Sequence, residues 1–133
     1  RMREAGYGRI INVISTSVKE PIKGLGVSNT VRGAVASWAK TLAGELGQYG
    51  ITVNNVLPGF TRTARMESLF SARAEKEKRS VAEIEAEARS HIPLGRIADP
   101  DEIGAAIAFL ATPAASYISG VSLPVDGGRI QSL

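Results

Sequence analysis

Residues 8–15 read GRIINVIS and residues 51–57 read ITVNNVL, and these two stretches decide the fold. Both are dominated by Ile and Val without strict alternation of apolar and polar positions, a pattern typical of strands that are buried on both faces. Strands are therefore predicted from Arg9 to Ser15 and from Ile51 to Leu57. A third strand, Val121 to Val125, is predicted before the turn sequence Asp126-Gly127-Gly128.

Helical patterns separate these strands. A long helix is predicted from Ser28 to Gly47 or Gly50, because apolar residues recur there at helical spacing and glycine readily ends a helix. The charged stretch from Thr63 to about Ser90 has an interrupted apolar pattern, which predicts two helices or a kink. Asp99 and Pro100 open a further helix, since aspartate caps free N–H groups and proline fits the first turn. The apolar positions of the long helix are Val31, Val35, Trp38, Leu42 and Leu46.

The order strand, helix, strand, helix, strand predicts an α/β protein with a parallel sheet covered by helices. A sheet of three strands is small, however, and an uncovered edge on the first strand would favour unwanted pairing. The chain also opens abruptly on RMREAGYG, which has the character of the end of a helix leading into a strand. We therefore expect these 133 residues to be the second half of a larger single domain.

Composition narrows the classes of function. The chain has no cysteine and a single histidine, His91, which argues against disulfides and against a metal site. Its net charge of +3 is spread over mixed stretches such as EKEKR at residues 75–79, so nucleic acid is not an expected partner. No apolar run approaches the ~20 residues that span a bilayer, and no signal segment is visible, so no membrane association is expected. These features predict a cytoplasmic protein.

Three polar residues stand where the first strand leads into the long helix. Ser15 ends the strand, Ser28 follows after twelve intervening residues, and Arg32 follows after three more. Ser28 and Arg32 are four positions apart and therefore share one face of the helix. This spacing resembles the active site of the short-chain dehydrogenase/reductase family, in its ketoacyl-carrier-protein-reductase-like branch. The blocks that carry the resemblance are GRIINVIS, ITVNNVLPGFTRT (51–63), PLGRIADPDEIGAAIAFLAT (93–112) and YISGVSLPVDGG (117–128).

The resemblance covers essentially the whole chain but only the C-terminal half of the family's domain. It implies a Rossmann-like, doubly wound parallel sheet that binds NAD or NADP, often in a homodimer or homotetramer. Residues from about 63 to 92 would form the family's helical lid over a small-molecule carbonyl or alcohol substrate. In the family a serine orients the substrate carbonyl, a tyrosine delivers a proton, and a lysine lowers the pKa of that tyrosine and binds the nicotinamide ribose. Ser15 matches the orienting serine.

Ser28 and Arg32 stand at the positions of the tyrosine and the lysine. An aliphatic hydroxyl is a weaker acid than a phenol and is shorter, so Ser28 cannot replace the phenol directly, although it could hold a water in its place. A helix cap is an equally good interpretation of Ser28. Arg32 keeps the positive charge and can bind ribose hydroxyls, but its guanidinium does not lose a proton. Lys19 and Lys23, in the loop after Ser15, could approach the mouth of the pocket.

Pro58, Gly59, Thr61 and Thr63 form the other half of the candidate site. By resemblance this segment contacts the nicotinamide carboxamide, with the proline ending the strand and the glycine allowing close approach of a flat ring. An ordinary turn and a helix cap are the alternatives. Gly24-Leu25-Gly26 does not match a phosphate-binding turn, because it lacks the third glycine and does not directly follow a strand. We therefore expect the 133 residues alone to bind no dinucleotide with useful affinity.

Two functions follow from these residues. The first is an NAD(P)-dependent oxidoreductase of the short-chain type, with atypical or slow hydride transfer between nicotinamide and a carbonyl or secondary alcohol. The second is a non-catalytic NAD(P)-binding sensor or partner subunit, which Ser28 favours. The catalytic candidates are Ser15, Ser28 and Arg32, and the cofactor-binding candidates are Arg32, Pro58, Gly59, Thr61 and Thr63.

Overall fold

The computed structural model describes residues 1–132, which form a parallel sheet of three strands with helices packed on it. The strands are β1 (Gly8–Val13), β2 (Ile51–Pro58) and β3 (Ser122–Val125), in the spatial order β1-β2-β3. Gly8 pairs with Ile51, and Asn55 pairs with Ser122. The three predicted strands are confirmed, with ends that differ by one or two residues from the prediction.

The helices follow the local signals of the sequence. They are α1 (Met2–Ala5), α2 (Gly26–Leu46), α3 (Ala64–Glu77), α4 (Val81–Ser90) and α5 (Pro100–Ala111). The predicted interruption of the charged segment is confirmed, because α3 ends at Glu77 and the next residue, Lys78, has a left-handed conformation. Ser80 then caps α4 in a capping box with Glu83. The helix predicted at Asp99 is confirmed too, and the Glu102 carboxylate accepts the N–H of Asp99 at 2.9 Å.

Helices cover both faces of the central strand β2, as expected for a doubly wound sheet. Val56 packs with Ile103 and Leu110 of α5 in one buried cluster. Because successive side chains of a strand point to opposite faces, the neighbours of Val56 face the side on which α2 packs against β2. The α2 residue buried there is Ala39, whose small side chain allows the helix to lie close to the sheet.

Two asparagines in β2 explain how a fully buried strand tolerates polar residues. The amide of Asn54 donates to the Ile118 carbonyl at 2.8 Å and accepts the N–H of Val121 at 3.2 Å. The amide of Asn55 accepts from Asn12 of β1 and donates to Ser122 of β3, both at 3.0 Å. These side chains therefore fasten neighbouring segments to β2, and their burial leaves no unsatisfied amide.

The helical pair α3–α4 has an apolar cluster of its own beside the sheet. Phe70 and Ala74 of α3 pack against Ile84 and Ala88 of α4, with Ile92 and Ile97 completing the cluster. Phe60, just after β2, packs against it and so connects the pair to the sheet. Among the described helices, none has the length and apolar character needed to cross a membrane.

Candidate functional site

The candidate residues lie at the edge of the sheet where the strands end. Ser15 follows β1, Gly59 follows β2 and Asp126 follows β3. In open parallel α/β sheets, ligands bind in the crevice outside the carboxyl ends of the strands. The fold therefore places the two halves of the predicted site, Ser15 with its helix and the segment after Pro58, at the edge where a ligand is expected.

Ser15 is half-buried and begins a short 3₁₀ helix, Thr16–Val18. Its backbone is extended, and its Oγ accepts the N–H of Ser17 at 3.1 Å. A hydroxyl that accepts this bond keeps its own proton for donation. Ser15 can thus donate a hydrogen bond to a ligand oxygen while its position is fixed by the turn that follows β1.

Ser28 lies inside helix α2 rather than at its cap. The helix begins at Gly26, its N-cap is Leu25, and no side chain caps it. The alternative interpretation of Ser28 as a helix cap is therefore wrong. Its Oγ instead accepts a hydrogen bond from Nε of Arg32 at 3.2 Å, as the spacing of four residues allows.

Arg32 joins the helix to the end of β1. In addition to its bond with Ser28, its Nη1 donates to the carbonyl oxygen of Ile14 at 2.7 Å. Ile14 directly precedes Ser15, so Arg32 connects Ser28 to the backbone next to Ser15. Ser28 and Arg32 also line an open groove of about 640 Å³ that runs along β1. Its remaining lining residues are Ile11, Asn12, Val13, Ile14, Val31 and Val35.

Pro58 and Gly59 end β2 in a tight contact with the end of β3. The N–H of Gly59 donates to the carbonyl of Val125 at 3.0 Å. A Cβ at Gly59 would lie 2.7 Å from Cβ and 2.8 Å from Cα of Asp126, too close for any side chain. The structure thus explains this glycine by packing within the chain, a cause that differs from the predicted close approach of a ligand ring.

The segment after Gly59 offers backbone groups to a ligand. The N–H of Arg62 donates to the Ala98 carbonyl at 2.8 Å, and the N–H of Ala98 donates to the Phe60 carbonyl at 3.0 Å. Within residues 1–132, the N–H and C=O of Thr61 itself make no hydrogen bond. One donor and one acceptor on the same residue can complement the carbonyl oxygen and one N–H of a carboxamide. The backbone of Thr61 is thus available to a ligand, and its contact with nicotinamide stays a prediction.

The two threonines of this segment also have roles within the chain. The Thr61 hydroxyl donates to the Gly59 carbonyl at 3.2 Å. Thr63 caps α3, with its Oγ1 accepting the N–H of Met66 at 3.3 Å. The helix-cap interpretation is thus correct for Thr63. Its hydroxyl proton remains able to donate, so capping and ligand contact are compatible.

A second, larger cleft of about 800 Å³ lies between the helical pair and the residues after β3. Phe60 lines it, and so does Glu20, which belongs to the loop between Ser15 and Ser28. The Glu20 carboxylate accepts the N–H of Gln131 at 2.7 Å, and the guanidinium of Arg129 lies 5.1 Å from the centre of the Phe60 ring. These residues were missed from the sequence, because only the fold brings residues 20 and 129 to the Pro58–Thr63 segment.

Ion pairs hold the helical pair together beside this cleft. Glu87 of α4 accepts from Arg73 at 2.6 Å and also from Arg79, and Glu77 bonds to the same two arginines. The hydrogen bonds from Arg73 and Arg79 lower the pKa of Glu87 to about 2. The charges of this network are therefore matched internally, and it serves to position α3 and α4.

In residues 1–132, the single histidine and the three tyrosines make no hydrogen bond to Ser28 or Arg32. His91 ends α4, where its Nδ1 lies 2.8 Å from the Glu87 carbonyl, and its exposed ring also lines the cleft. Tyr7 donates its hydroxyl to the Ala111 carbonyl at 3.2 Å, and the hydroxyl of Tyr49 accepts from Arg3 at 2.8 Å. Tyr117 is fully exposed.

Known proteins resemble this chain along nearly its whole length. The family model described as enoyl-(acyl carrier protein) reductase matches residues 1–129. The short-chain reductase protein NovJ of Streptomyces niveus is 39% identical over 96% of the chain, and this match covers 47% of NovJ. The 3-oxoacyl-[acyl-carrier-protein] reductase FabG of Vibrio cholerae is 37% identical over 96% of the chain and 48% of its own length.

A solved structure gives the same result for the fold. The crystal structure of YwfH, described as an NADPH-dependent reductase involved in bacilysin biosynthesis, superposes with a TM-score of 0.92 at 32% identity. The match covers 99% of this chain and 50% of YwfH. The chain thus spans about half the length of the relatives that it matches.

Proposed function

Because this chain belongs to the short-chain dehydrogenase/reductase family and corresponds to the C-terminal half of its Rossmann domain, we propose that it carries the substrate and nicotinamide half of an NAD(P)-dependent oxidoreductase. The reaction is hydride transfer between nicotinamide and a carbonyl or secondary alcohol. The observation that carries the proposal is the convergence of Ser15, Ser28 and Arg32 at one strand end.

Polar groups of Thr61 and Arg32 support nicotinamide binding at this edge. Thr61 has a backbone donor and acceptor without partners in residues 1–132, and these suit the carboxamide. Arg32 uses Nε and Nη1 within the chain, which leaves Nη2 to donate to a ribose hydroxyl. The bound cofactor would supply the hydride. The relatives' names favour NADPH as the first cofactor to test, since YwfH is described as NADPH-dependent.

The chain's own residues would then act on the substrate oxygen. Ser15 donates a hydrogen bond to the carbonyl and polarises it. Ser28 donates a second hydrogen bond or holds a water through which the alkoxide takes its proton from bulk solvent, because the serine hydroxyl is too short to reach the position of a phenol and neither it nor water is as strong an acid as a phenol. The nearby guanidinium of Arg32 stabilises negative charge that develops on this oxygen. This arrangement binds the oxyanion better than it protonates it, so we expect slow turnover.

The larger cleft is the proposed substrate site, with α3 and α4 as its lid. Phe60 connects it to the nicotinamide segment, and Glu20 connects it to the loop that follows Ser15. Apolar walls from Phe60 and Phe70 suit a hydrocarbon chain or ring next to the reacting carbonyl. The 3-oxoacyl substrates named for the FabG relative make β-keto esters and thioesters a suitable panel.

A non-catalytic NAD(P)-binding sensor or partner subunit is the second candidate, and Ser28 is the observation that favours it. The deciding experiment uses the intact protein. Calorimetric titration with NADPH and NADH tests binding, and oxidation of NADPH with β-keto esters tests turnover. Binding with slow turnover that falls further in Ser15→Ala supports the enzyme. Binding without turnover supports the sensor or partner, and absence of binding contradicts both.

A further inference from the structure

The carbonyl group of Ile14 lacks the hydrogen bond that the sheet would normally give it. In a parallel ladder, a residue that bonds to a neighbouring strand donates its N–H to one residue of that strand. Its carbonyl accepts the N–H of the residue two positions further along that neighbouring strand. The N–H of Ile14 donates to the Val56 carbonyl at 2.9 Å. Its carbonyl should therefore accept the N–H of residue 58. That residue is Pro58, which has no N–H.

Arg32 supplies the missing donor from outside the sheet. Its Nη1 lies 2.7 Å from the Ile14 oxygen, in a partly buried position, although the two residues are on different elements. The same guanidinium donates through Nε to Ser28. The rigid fork of arginine can make both bonds at once, whereas lysine has one compact ammonium group at the end of its side chain.

We propose that Arg32 is a positioning residue, whose guanidinium takes the place of the N–H absent from Pro58, fixes the peptide between Ile14 and Ser15, and directs the Ser28 hydroxyl proton outward. Ser15 accepts from the Ser17 N–H and Ser28 accepts from Arg32, so both hydroxyls keep their protons for a ligand. Each of the two can therefore donate to a carbonyl oxygen or an oxyanion of a ligand. This role of the pair rests on the proposed function, but the role of Arg32 in the strand does not.

The test compares Arg32→Met with the double variant Arg32→Met/Pro58→Ala in the intact protein. Loss of a charged hydrogen bond should speed exchange of the Ile14 amide by roughly 10- to 100-fold. Alanine at position 58 restores a backbone N–H opposite the Ile14 carbonyl. The double variant should therefore return the exchange rate, and the carbonyl ¹³C shift of Ile14, towards the wild-type values. Arg65→Met, on the exposed side of α3, is the matched control.

Recovery of the exchange rate by Pro58→Ala distinguishes loss of the bond between Arg32 and Ile14 from a general loss of stability. If Pro58→Ala leaves the effect of Arg32→Met unchanged, or if Arg32→Met behaves like Arg65→Met, the positioning role is refuted. If Arg32→Met does not fold, Arg32→Lys with and without Pro58→Ala gives the same comparison. NADPH binding by the wild type is measured in a separate titration. If NADPH does not bind, the proposed function is contradicted, but the amide exchange of Ile14 still tests the role of Arg32 in the strand.

Discussion

The family resemblance predicts a tyrosine at the position of Ser28, and within residues 1–132 the hydroxyls of Tyr7 and Tyr49 bond elsewhere. The hydroxyl of Ser28 is held by Nε of Arg32, so its proton points away from the guanidinium. The spacing in the sequence was sufficient to predict that Ser28 and Arg32 share one face of the helix. The bond between Arg32 and Ile14 was not predictable, because it depends on the register between β1 and β2 and on the missing N–H of Pro58.

Restoring the family's residues should raise turnover. A lost acid–base group typically costs about 10²–10⁴-fold in rate, so we expect Ser28→Tyr/Arg32→Lys to recover part of that factor in NADPH oxidation with β-keto esters. The lysine also gives up the bond to the Ile14 carbonyl, and the double variant should lose roughly 1–3 kcal/mol of stability as a result.

Ser28→Ala is the control for this experiment. Turnover of the wild type that is fast and survives Ser28→Ala would mean that another group, such as Lys23 or a bound water, delivers the proton. NADPH binding that is retained in every variant without any gain in turnover would favour the sensor or partner subunit.

Gly59 gives a second prediction at the scale of a residue. Gly59→Ala should destabilise the protein by about 1–3 kcal/mol, because its Cβ would overlap Asp126 and force the ends of β2 and β3 apart. Gly104→Ala is the matched control, since Gly104 lies in helix α5 with nothing within 4 Å of the new Cβ. There alanine should stabilise by about 0.5–1 kcal/mol through helix propensity. Thermal unfolding measures both, and equal effects of the two changes would contradict the packing argument.

At the scale of elements, the starts and interruptions of helices were predictable from local sequence, whereas contacts between residues far apart in the sequence were not. The helix start at Asp99 and the interruption between α3 and α4 are encoded within a few residues, and both were predicted from the sequence. The cleft was not, because Glu20, Phe60 and Arg129 come from three separate connections. Their proximity depends on strand order and on the packing of the helical pair. Neither can be predicted from a local sequence pattern.

The α3–α4 pair should lose stability in acid. Hydrogen bonds from Arg73 and Arg79 lower the pKa of Glu87 from 4.5 to about 2. A carboxylate whose pKa is lower in the folded state contributes its stabilisation above about pH 4.5, and this contribution disappears as the pH falls towards 2. Glu87→Gln should therefore speed amide exchange in α3 and α4 at neutral pH, and the difference from wild type should vanish near pH 2.

Solvent exposure limits the size of this effect, because exposed ion pairs are weak and are screened by salt. Glu75→Gln, at an exposed position on α3, is the control and should change little. A difference between Glu87→Gln and wild type that persists unchanged at pH 2 would show that the glutamine acts through packing rather than through charge.

At the scale of the whole molecule, helix α2 leaves a broad face uncovered. Val31 and Trp38 are 57% and 53% exposed, although both belong to the apolar pattern of the helix. The small residues Ala34 and Ser37 are exposed beside them. Exposed apolar side chains next to small ones suit contact with another helix, because the small side chains allow two backbones to approach closely.

The intact protein should accordingly form a two-fold dimer or a tetramer through α2, the assembly expected from the family resemblance. Ala34→Arg places a long charged side chain on this face, which must then be desolvated on contact, so the variant should sediment as a smaller species at micromolar concentration. Ala72→Arg, on the exposed surface of α3, is the control and should leave the assembly intact. A monomeric wild type would refute the assembly, whereas an oligomer that tolerates Ala34→Arg would place the interface away from α2.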